Sequence, residues 1–437
     1  MRLNRIFLCI TILFGLLGAC KKASSPGISP ISFKEGTQVS LVAQNDETIV
    51  FDPKLSSEAT NYQWTENGKS IGTDKVYVFN RTTPGDYEIT LDVFNVAGKS
   101  TLVYKVKVTG AYVNGVLFLS SVNRSGTGNA NISYLDASGK VRLDVFSEEN
   151  KTNTLSPSGM SMSRFNNKLY ITSSTGPNHI TVLDDETLKF DYAITQSGVS
   201  AVTYFATTDG KTGYVNLTNR RKLGLFPVDL VAKTIGATAL TGTTSASLLP
   251  INTIENSALI PSGKQLLKVD GSVVTPILTY TENVAGIVKT ANKVAWVGVQ
   301  GTATNKAKFV KLDASYVTTE TIELDANFKL PANGILTASG NDEFIYWQET
   351  STGSFCRFNT NTKKAEEVVN PYEVGISFST AWKVNPKNGD FYIIDSPGLF
   401  TGLDSSSDLY IFDNKGKLKK TVKKVGYQVV DMVFPKY

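Results

Sequence analysis

A repeated turn runs through the last three quarters of the chain and limits the folds that it can form. Seven short phrases, among them TVLDDETLKFD and YIFDNKGKLKKT, end a strand in Asp or Asn and then turn into a second, polar strand. The turn residues are Asp136, Asp184, Asp229, Asp270, Asp313, Asn359 and Asp413, at intervals of 48, 45, 41, 43, 46 and 54 residues. Because Asp and Asn at the first position of a turn accept hydrogen bonds from backbone N–H groups two residues on, we interpret all seven as turn formers and not as metal ligands.

Each repeat holds four short strands. An apolar strand such as NNKLYITS or NKVAWVGV precedes each turn, and a further strand such as GMSMSRF or STAWKVN precedes that one. A period of about 45 residues with four strands is typical of β-propeller blades. The first repeat lacks its leading strand, and YQVVDMVF at residues 427–434 can supply it. The sequence therefore predicts a seven-bladed β-propeller over residues 111–437, closed by its C-terminal strand, which leaves no sheet edge open between the first and last blades.

Shorter strands with clear alternation fill residues 34–110. Apolar side chains recur at every second position in residues 87–93 and again in residues 102–108, which places them on one buried face. This pattern predicts an immunoglobulin-like β-sandwich, so that the fold class is all-β throughout. The phrases YQWTENGKSI and TPGDYEITLDVFNVAGKS resemble PKD-type domains. The resemblance implies a fold without chemistry, in which Trp64 is a core residue.

The N-terminus has the features of an export signal. Arg2 and Arg5 precede an apolar run from Ile6 to Leu17, which is shorter than the roughly 20 residues of a membrane-spanning helix. The sequence LGAC that ends at Cys20 resembles the lipobox of bacterial lipoproteins, in which the cysteine is acylated and begins the mature chain. We therefore expect a signal peptide over residues 1–19 and a lipidated tether over residues 20–33. An ordinary signal peptide with a stray cysteine is the alternative.

Composition argues against most kinds of catalysis. Of three cysteines, Cys9 lies in the leader and Cys20 is the lipid site, so that only Cys356 remains and no disulfide can form within the mature chain. His179 is the single histidine, no GxSxG phrase frames a serine, and no cluster has metal-ligand spacing. We therefore expect no enzyme, no cofactor and no bound metal ion. The net charge of +5 is too weak to suggest a nucleic-acid partner.

Propeller geometry indicates where a ligand would bind. Turns between the first and second strands and between the third and fourth lie at one end of the ring, here called the bottom end, which receives the seven repeated turns. Loops between the second and third strands and between blades lie at the other, top end, over whose central opening small ligands usually bind.

The predicted top-end loops are rich in basic and aromatic residues, which suit an anionic, aromatic ligand. The candidate ligand-binding residues are Arg124, His179, Arg220, Arg221, Lys222, Tyr280, Lys306, Lys308, Trp347, Tyr372, Phe400 and Tyr427. Lys423 and Lys424 would add to the positive potential. The alternative is that the basic tips are solvated and the aromatic residues pack at the rim.

The blade phrases Y-[IV]-x-[NS] and V-x-x-[LV]-D-x-x-T-x-K resemble YncE-type (DUF5074-like) propellers. The closing run SSSDLYIFDNKGKLKKTVKKVGYQVVDMVF resembles the last blade of propeller lipoproteins that Gram-negative gut bacteria place beside TonB-dependent transporters. The resemblance implies a lipid-anchored outer-membrane protein that captures a metal chelate, a ferric siderophore or a corrinoid, and passes it to such a transporter. It favours the cell surface over the periplasmic face, although Lys21 and Lys22 are basic where surface-exported lipoproteins often carry acidic residues. No ligand-binding motif of that group can be matched residue by residue.

Two other functions stay open. A carbohydrate-binding or adhesive surface protein would carry aromatic residues and carboxylates together on one face. A propeller enzyme such as a lyase or lactonase would need His, Glu or Asp around a metal ion, for which a single histidine is a poor basis.

Overall fold

The computed structural model describes residues 28–122, 128–219, 222–243, 249–332, 334–399 and 406–435. Within these residues the backbone is nearly all β, as predicted. The chain divides into two compact units between Thr109 and Gly110. The predicted leader and the lipidation site Cys20 lie outside the described residues. Across the described ranges, no helix is long and apolar enough to cross a membrane.

The first unit has two sheets around one apolar core. Its strands are β1 (Gln38–Gln44), β2 (Thr48–Phe51), β3 (Asn61–Glu66), β4 (Lys69–Gly72), β5 (Tyr77–Asn80), β6 (Gly85–Asn95) and β7 (Gly98–Thr109). The larger sheet has the order β1-β7-β6-β3-β4, and β2 pairs with β5 in the smaller one. Phe51 of the smaller sheet stacks on Tyr104 of the larger, with ring centroids 4.2 Å apart. Trp64 is fully buried and donates its indole N–H to the Asp74 carbonyl at 2.8 Å, so it is the core residue that was predicted.

The second unit consists almost wholly of strands in sets of four. The strands are β8 (Val116–Ser120), β9 (Asn131–Leu135), β10 (Val141–Arg142), β11 (Gly159–Phe165), β12 (Lys168–Ser173), β13 (Ile180–Asp184), β14 (Phe190–Ile194), β15 (Val202–Thr207), β16 (Thr212–Asn219), β17 (Lys222–Asp229), β18 (Thr234–Ile235), β19 (Asn252–Ile254), β20 (Ser257–Ser262), β21 (Gln265–Asp270), β22 (Val273–Thr279), β23 (Val284–Lys289), β24 (Ala295–Val299), β25 (Lys308–Leu312), β26 (Thr318–Glu323), β27 (Thr337–Ala338), β28 (Phe344–Gln348), β29 (Phe355–Asn359), β30 (Lys364–Val369), β31 (Ser379–Val384), β32 (Phe391–Asp395), β33 (Ser406–Phe412), β34 (Leu418–Tyr427) and β35 (Val429–Val433). Helix α1 (Val145–Glu149) and two 3-10 turns, Tyr372–Val374 and Pro397–Leu399, interrupt them.

These strands form seven four-stranded antiparallel sheets within the described residues, numbered 1 to 7 in chain order. In sheets 2 to 7 the order along the sheet follows the chain, as in β11-β12-β13-β14. The first strands of neighbouring sheets touch in succession, from β11 through β15, β19, β23, β27 and β31 to β35, and β35 touches β11. The innermost strands therefore form a closed cycle around a central axis, which is the arrangement of a β-propeller.

The last strand of the chain completes the first sheet. β35 pairs antiparallel with β8, with Val429 opposite Ser120, and sheet 1 has the order β10-β9-β8-β35. Asp431 of β35 then reaches both neighbouring sheets. Its Oδ2 accepts a hydrogen bond from the Met162 backbone N–H in β11 at 2.7 Å, and its Oδ1 lies 2.6 Å from Lys383 Nζ in β31. The closing strand is thus bonded to sheets 1, 2 and 7.

The repeated turns have the predicted hydrogen bonds at six of seven positions. In the last turn, Asp413 Oδ1 accepts from the backbone N–H groups of Lys415 and Lys417, each at 2.9 Å. Equivalent bonds form at Asp136, Asp184, Asp229, Asp313 and Asn359. Asp270 makes no such bond to a described residue, and the next residue, Gly271, has a φ of 57°.

Removal of the closing strand tests the dependence of the ring on it. We expect a chain that ends at Gln428 to lose the cooperative unfolding of the second unit, because β8 loses its partner and sheets 2 and 7 lose Asp431. Calorimetry measures the cooperativity of the unfolding transition of the second unit, and the transition of the first unit is the internal reference. A chain that ends at Pro435 keeps β35 and is the control. If the second unit unfolds in the same way in the shorter chain, the stability of the ring does not depend on the closing strand.

The substitution Asp431→Asn tests the charge of the closing strand while keeping the size of the side chain. We expect the free energy of unfolding to fall by about 2 kcal/mol, because a partly buried Lys383 ammonium loses its counter-ion. Asp191→Asn is the matched control, since Asp191 pairs with Lys168 at the surface, where ion pairs contribute less than about 1 kcal/mol. Urea unfolding of both variants measures the difference, and equal losses would contradict a special role for Asp431.

The turn carboxylates should make stability depend on pH. The backbone N–H of Lys417 is the main group that holds the pKa of Asp413 below its usual range. A carboxyl group with a lowered pKa in the folded state stabilises the fold above its unfolded pKa, and this contribution is lost as pH falls through the folded pKa. We expect Asp413→Ala to cost about 1 kcal/mol at pH 7 and less below about pH 4. Unfolding free energies at the two pH values test this; a cost independent of pH would exclude the charge as its cause.

Candidate functional site

A cavity of about 400 Å³ lies between the innermost strands of the second unit. Its wall is formed by β11, β15, β31 and β35 and by the segments that lead into β19 and β27, so that six of the seven sheets contribute. In β11 and β35 the wall residues come from the first part of the strand, and Gln348 is the last residue of a second strand. These strand ends adjoin the inter-sheet and second-to-third-strand loops. In β31 the wall runs from Ser379 to Lys383, one residue before the strand ends, so the cavity reaches from the top end, where the sequence predicts ligand binding, down along the axis.

Sheet 5 is screened from the cavity by the chain that approaches β27. A Cβ atom built on Gly286 of β23 would lie 2.8 Å from Leu336 Cγ and 2.9 Å from the Gly334 carbonyl oxygen. The absence of a side chain at Gly286 thus allows residues 334–336 to cross this strand and to form part of the wall.

Strand edges and neutral side chains make the cavity polar without a net charge. Each first strand pairs on one side only, so its other edge directs backbone N–H and C=O groups toward the axis. The charged wall side chains are Lys383 and Asp431, which neutralise each other. Lys383 Nζ also donates to the Met432 carbonyl at 2.6 Å, and the two oxygens of Asp431 accept from the backbone N–H groups of Met162 and Met432. Both charges therefore already have partners within the protein.

Aromatic side chains complete the wall. The phenol of Tyr204 is partly buried, and its hydroxyl makes no hydrogen bond to a described residue. Burial, and after it the Asp431 charge, raises the pKa of Tyr204, so the hydroxyl keeps its proton at neutral pH and can donate. Trp382 also lines the cavity, with its ring 5.4 Å from that of Phe355, and its buried indole N–H has no acceptor among the described residues.

None of the described candidate residues from the sequence lines this cavity. The prediction of an exposed aromatic surface is wrong for Trp347, which is fully buried between sheets 5 and 6 and donates its indole N–H to the Lys329 carbonyl at 3.1 Å. Tyr427 and His179 are also buried, at 7% and 4% exposure. Burial lowers the pKa of His179, whose Nε2 lies 3.2 Å from the Gln196 carbonyl oxygen, so this side chain is part of the loop packing.

The predicted positive face is partly neutralised by acidic neighbours. Lys308 Nζ lies 3.5 Å from a Glu282 oxygen, and that carboxylate also accepts from Asn305 Nδ2 at 2.6 Å. Lys423 pairs in the same way with Asp408 at 2.7 Å. Two acidic side chains therefore compensate the ligand-binding candidate Lys308 and Lys423, which was expected to add to the positive potential.

The other candidates differ in their surroundings. Tyr372 is 69% exposed, Lys306 is exposed, and Lys222 is half-buried. Tyr280 is half-buried, and burial raises its pKa to about 12. Arg124, Arg220, Arg221 and Phe400 lie outside the described residues.

The sequence did contain a signal for the cavity, in the innermost strands and not in the loops. STAWKVN and YQVVDMVF each place a charged residue, Lys383 or Asp431, in a strand that is otherwise small or apolar. Such a residue in the most enclosed strand of a sheet needs a partner or a polar cavity. Neither phrase, however, indicates that these two strands are neighbours whose charged residues form an ion pair. In the described residues no group of three His, Cys, Asp or Glu side chains is placed to hold a metal ion.

Comparisons with known proteins agree with this architecture. Residues 31–95 match the PKD-like domain, and no curated protein matches the chain. A solved structure of a Quinonprotein alcohol dehydrogenase-like protein from Bacteroides thetaiotaomicron is 17% identical with a TM-score of 0.56, covering 93% of this chain and 99% of that chain. A functionally unknown protein from Desulfotomaculum acetoxidans is 12% identical with a TM-score of 0.50, covering 74% of this chain and 98% of that chain.

At these identities the solved structures show the fold alone, which is propeller-like. Residues 119–435 match the family described as Domain of unknown function (DUF5074), which spans most of the second unit. The chain therefore belongs to the DUF5074 family and carries a PKD-like domain before its β-propeller.

Proposed function

We propose that this protein is a non-enzymatic capture protein that binds a small ligand at the central cavity of its propeller. The observation that carries the proposal is the cavity itself. Its volume of about 400 Å³ lies within the usual range of ligand sites, and its wall combines aromatic and thioether side chains with a few polar groups. It also reaches the top end, next to the loops.

For the architecture, we propose that the seven sheets are the blades of one seven-bladed ring. The cycle of contacts between innermost strands and the pairing of β35 with β8 support this count. We further propose that the first unit is an immunoglobulin-like domain of the PKD type that acts as a spacer or docking module. Its buried Trp64 and its two-sheet core support that assignment.

The proposed ligand is a metal chelate, a ferric siderophore or a corrinoid, which is handed to a TonB-dependent outer-membrane transporter. The sequence resemblance supports this class, and the cavity supports binding of part of such a molecule. Lys306 and Tyr372 lie in top-end loops and Lys222 begins β17 at the same end, so that all three can contact the part of a chelate that stays outside. In this proposal the chain is anchored in the outer membrane through acylated Cys20, faces the cell surface, and binds no cofactor or nucleic acid.

A second candidate function is carbohydrate binding or adhesion. The observation that favours it is the placement of carboxylates beside aromatic residues at the top end. Glu373 is exposed next to the exposed ring of Tyr372, and Glu282 and Asp408 neutralise two of the lysines on which chelate binding was predicted. Aromatic rings and carboxylates together suit sugar hydroxyl groups better than an anionic chelate.

Titration of the full chain in detergent separates these functions. The ligands are a ferric tris-catecholate siderophore, cyanocobalamin and a set of oligosaccharides. We expect a chelate to bind, and Met160→Trp to weaken it at least ~10-fold, because the larger side chain fills the cavity. Val231→Trp is the matched control, since Val231 is exposed at a bottom-end turn. Glycan binding without chelate binding would overturn the chelate proposal, and full affinity in Met160→Trp would overturn the cavity as the site.

A further inference from the structure

We infer that the central cavity receives an uncharged part of the ligand, a flat ring that bears a hydrogen-bond acceptor, and that Tyr204 selects it. This inference rests on the proposed binding of a ligand at the cavity. The inference narrows the proposed ligand class, because the sequence pointed to an anionic, aromatic ligand bound by basic and aromatic residues.

The first argument is that the cavity has no free charge for a ligand ion. Lys383 is held 2.6 Å from Asp431 and donates to the Met432 carbonyl, and Asp431 also accepts from Met162. A carboxylate or phenolate entering the cavity would lose its water shell without gaining a counter-ion, unless it broke the pair that joins β35 to β31. Burying an unpaired charge costs far more than burying a neutral polar group that gains a hydrogen bond. The wall therefore favours uncharged ligands.

The second argument concerns the one phenol in the wall. The Tyr204 hydroxyl has no partner among the described residues and stays protonated, so it can donate to a carbonyl or hydroxyl oxygen. The environment that raises its pKa disfavours negative charge at this position, and it would act on a ligand anion in the same way. A neutral acceptor suits this donor.

The third argument is shape. Tyr204 contributes its ring to the wall beside Trp382, and Met160 contributes a thioether, a side chain that adapts to and contacts aromatic faces. The ring of Phe205 is instead buried against Tyr170 between sheets 2 and 3, with ring centroids 4.6 Å apart. A volume of about 400 Å³ holds a small ring system and is smaller than a whole ferric siderophore or corrinoid. The remainder of a larger ligand would stay at the top end, where Lys222 and Lys306 can still meet charged groups.

A matched pair of probes tests the inference. Nicotinamide and nicotinate have the same ring and nearly the same size, and they differ in charge. Binding to the full chain in detergent is followed through the indole N–H signals in NMR spectra, and Trp382→Phe identifies the Trp382 signal among the four tryptophans. The signals of Trp64 and Trp347 are internal controls, since their N–H groups donate to backbone carbonyls away from the cavity.

We expect nicotinamide to shift the Trp382 signal saturably and nicotinate to bind at least ~10-fold more weakly. Tyr204→Phe should weaken nicotinamide binding by ~5–10-fold through loss of one hydrogen bond, whereas Tyr372→Phe, outside the cavity, should not change it. Nicotinate binding as tight as nicotinamide, an unaffected Tyr204→Phe variant, or no shift by either probe would each overturn the inference.

These outcomes are distinct from failure of the proposed function. Cavity-dependent binding of the catecholate chelate together with a preference for nicotinate would keep the capture function and reject the uncharged ligand. Absence of chelate binding together with a clear preference for nicotinamide would reject chelate capture while keeping the selectivity of the cavity.

Discussion

The pairing of β35 with β8 is the interaction on which the second unit depends. It joins residues more than 300 positions apart in sequence, as in Val429 opposite Ser120. Just before β35, the Tyr427 backbone N–H also donates to Ser120 Oγ at 3.0 Å. Without it, β8 would be an open edge at the axis, and β11 and β31 would have no innermost strand between them. Asp431 adds charge-assisted bonds to both of those sheets, and Thr380 donates to the Val429 carbonyl at 2.7 Å. Closure is therefore a set of specific polar contacts as well as a strand pairing.

The strands that close the ring also form part of the wall of the proposed binding cavity. Lys383 and Asp431 hold the ring together and also line the cavity, so their charges are already committed when a ligand arrives. The wall groups that could still contact a proposed ligand are neutral hydrogen-bond donors, aromatic rings and a thioether. A ligand bound there would contact β35 directly, and binding energy would also stabilise the closed ring. In the proposed function, stability and selectivity would thus both depend on one partly buried ion pair.

The two ends of the ring differ in what their turns do. At the bottom end, side chains at the left-handed position of several turns reach back to the preceding sheet. The ammonium of Lys233 lies 4.3 Å from the Tyr192 ring centroid, and that of Lys363 lies 5.1 Å from the Trp296 ring centroid. Together with the Asx hydrogen bonds, these contacts fix the bottom end. The top end has longer and more varied loops, which leaves it available for recognition.

The sequence by itself determined the strands, the repeat and the closing strand. Turn chemistry and alternation are properties of neighbouring residues, so Asp413 capping its own turn could be predicted locally. The role of YQVVDMVF in the first sheet followed from counting strands, because the first repeat lacks one and the chain ends with one to spare. The site could not be predicted in this way. Trp347 and Trp382 both stand in apolar strands, yet one is enclosed between two sheets while the other lines the cavity. Likewise, Lys308 faces Glu282 in place of a ligand because the start of β25 lies beside the segment between β22 and β23. Only the tertiary structure decided these outcomes, because the cavity and the ion pairs join residues from strands and loops whose relative positions depend on how the ring closes.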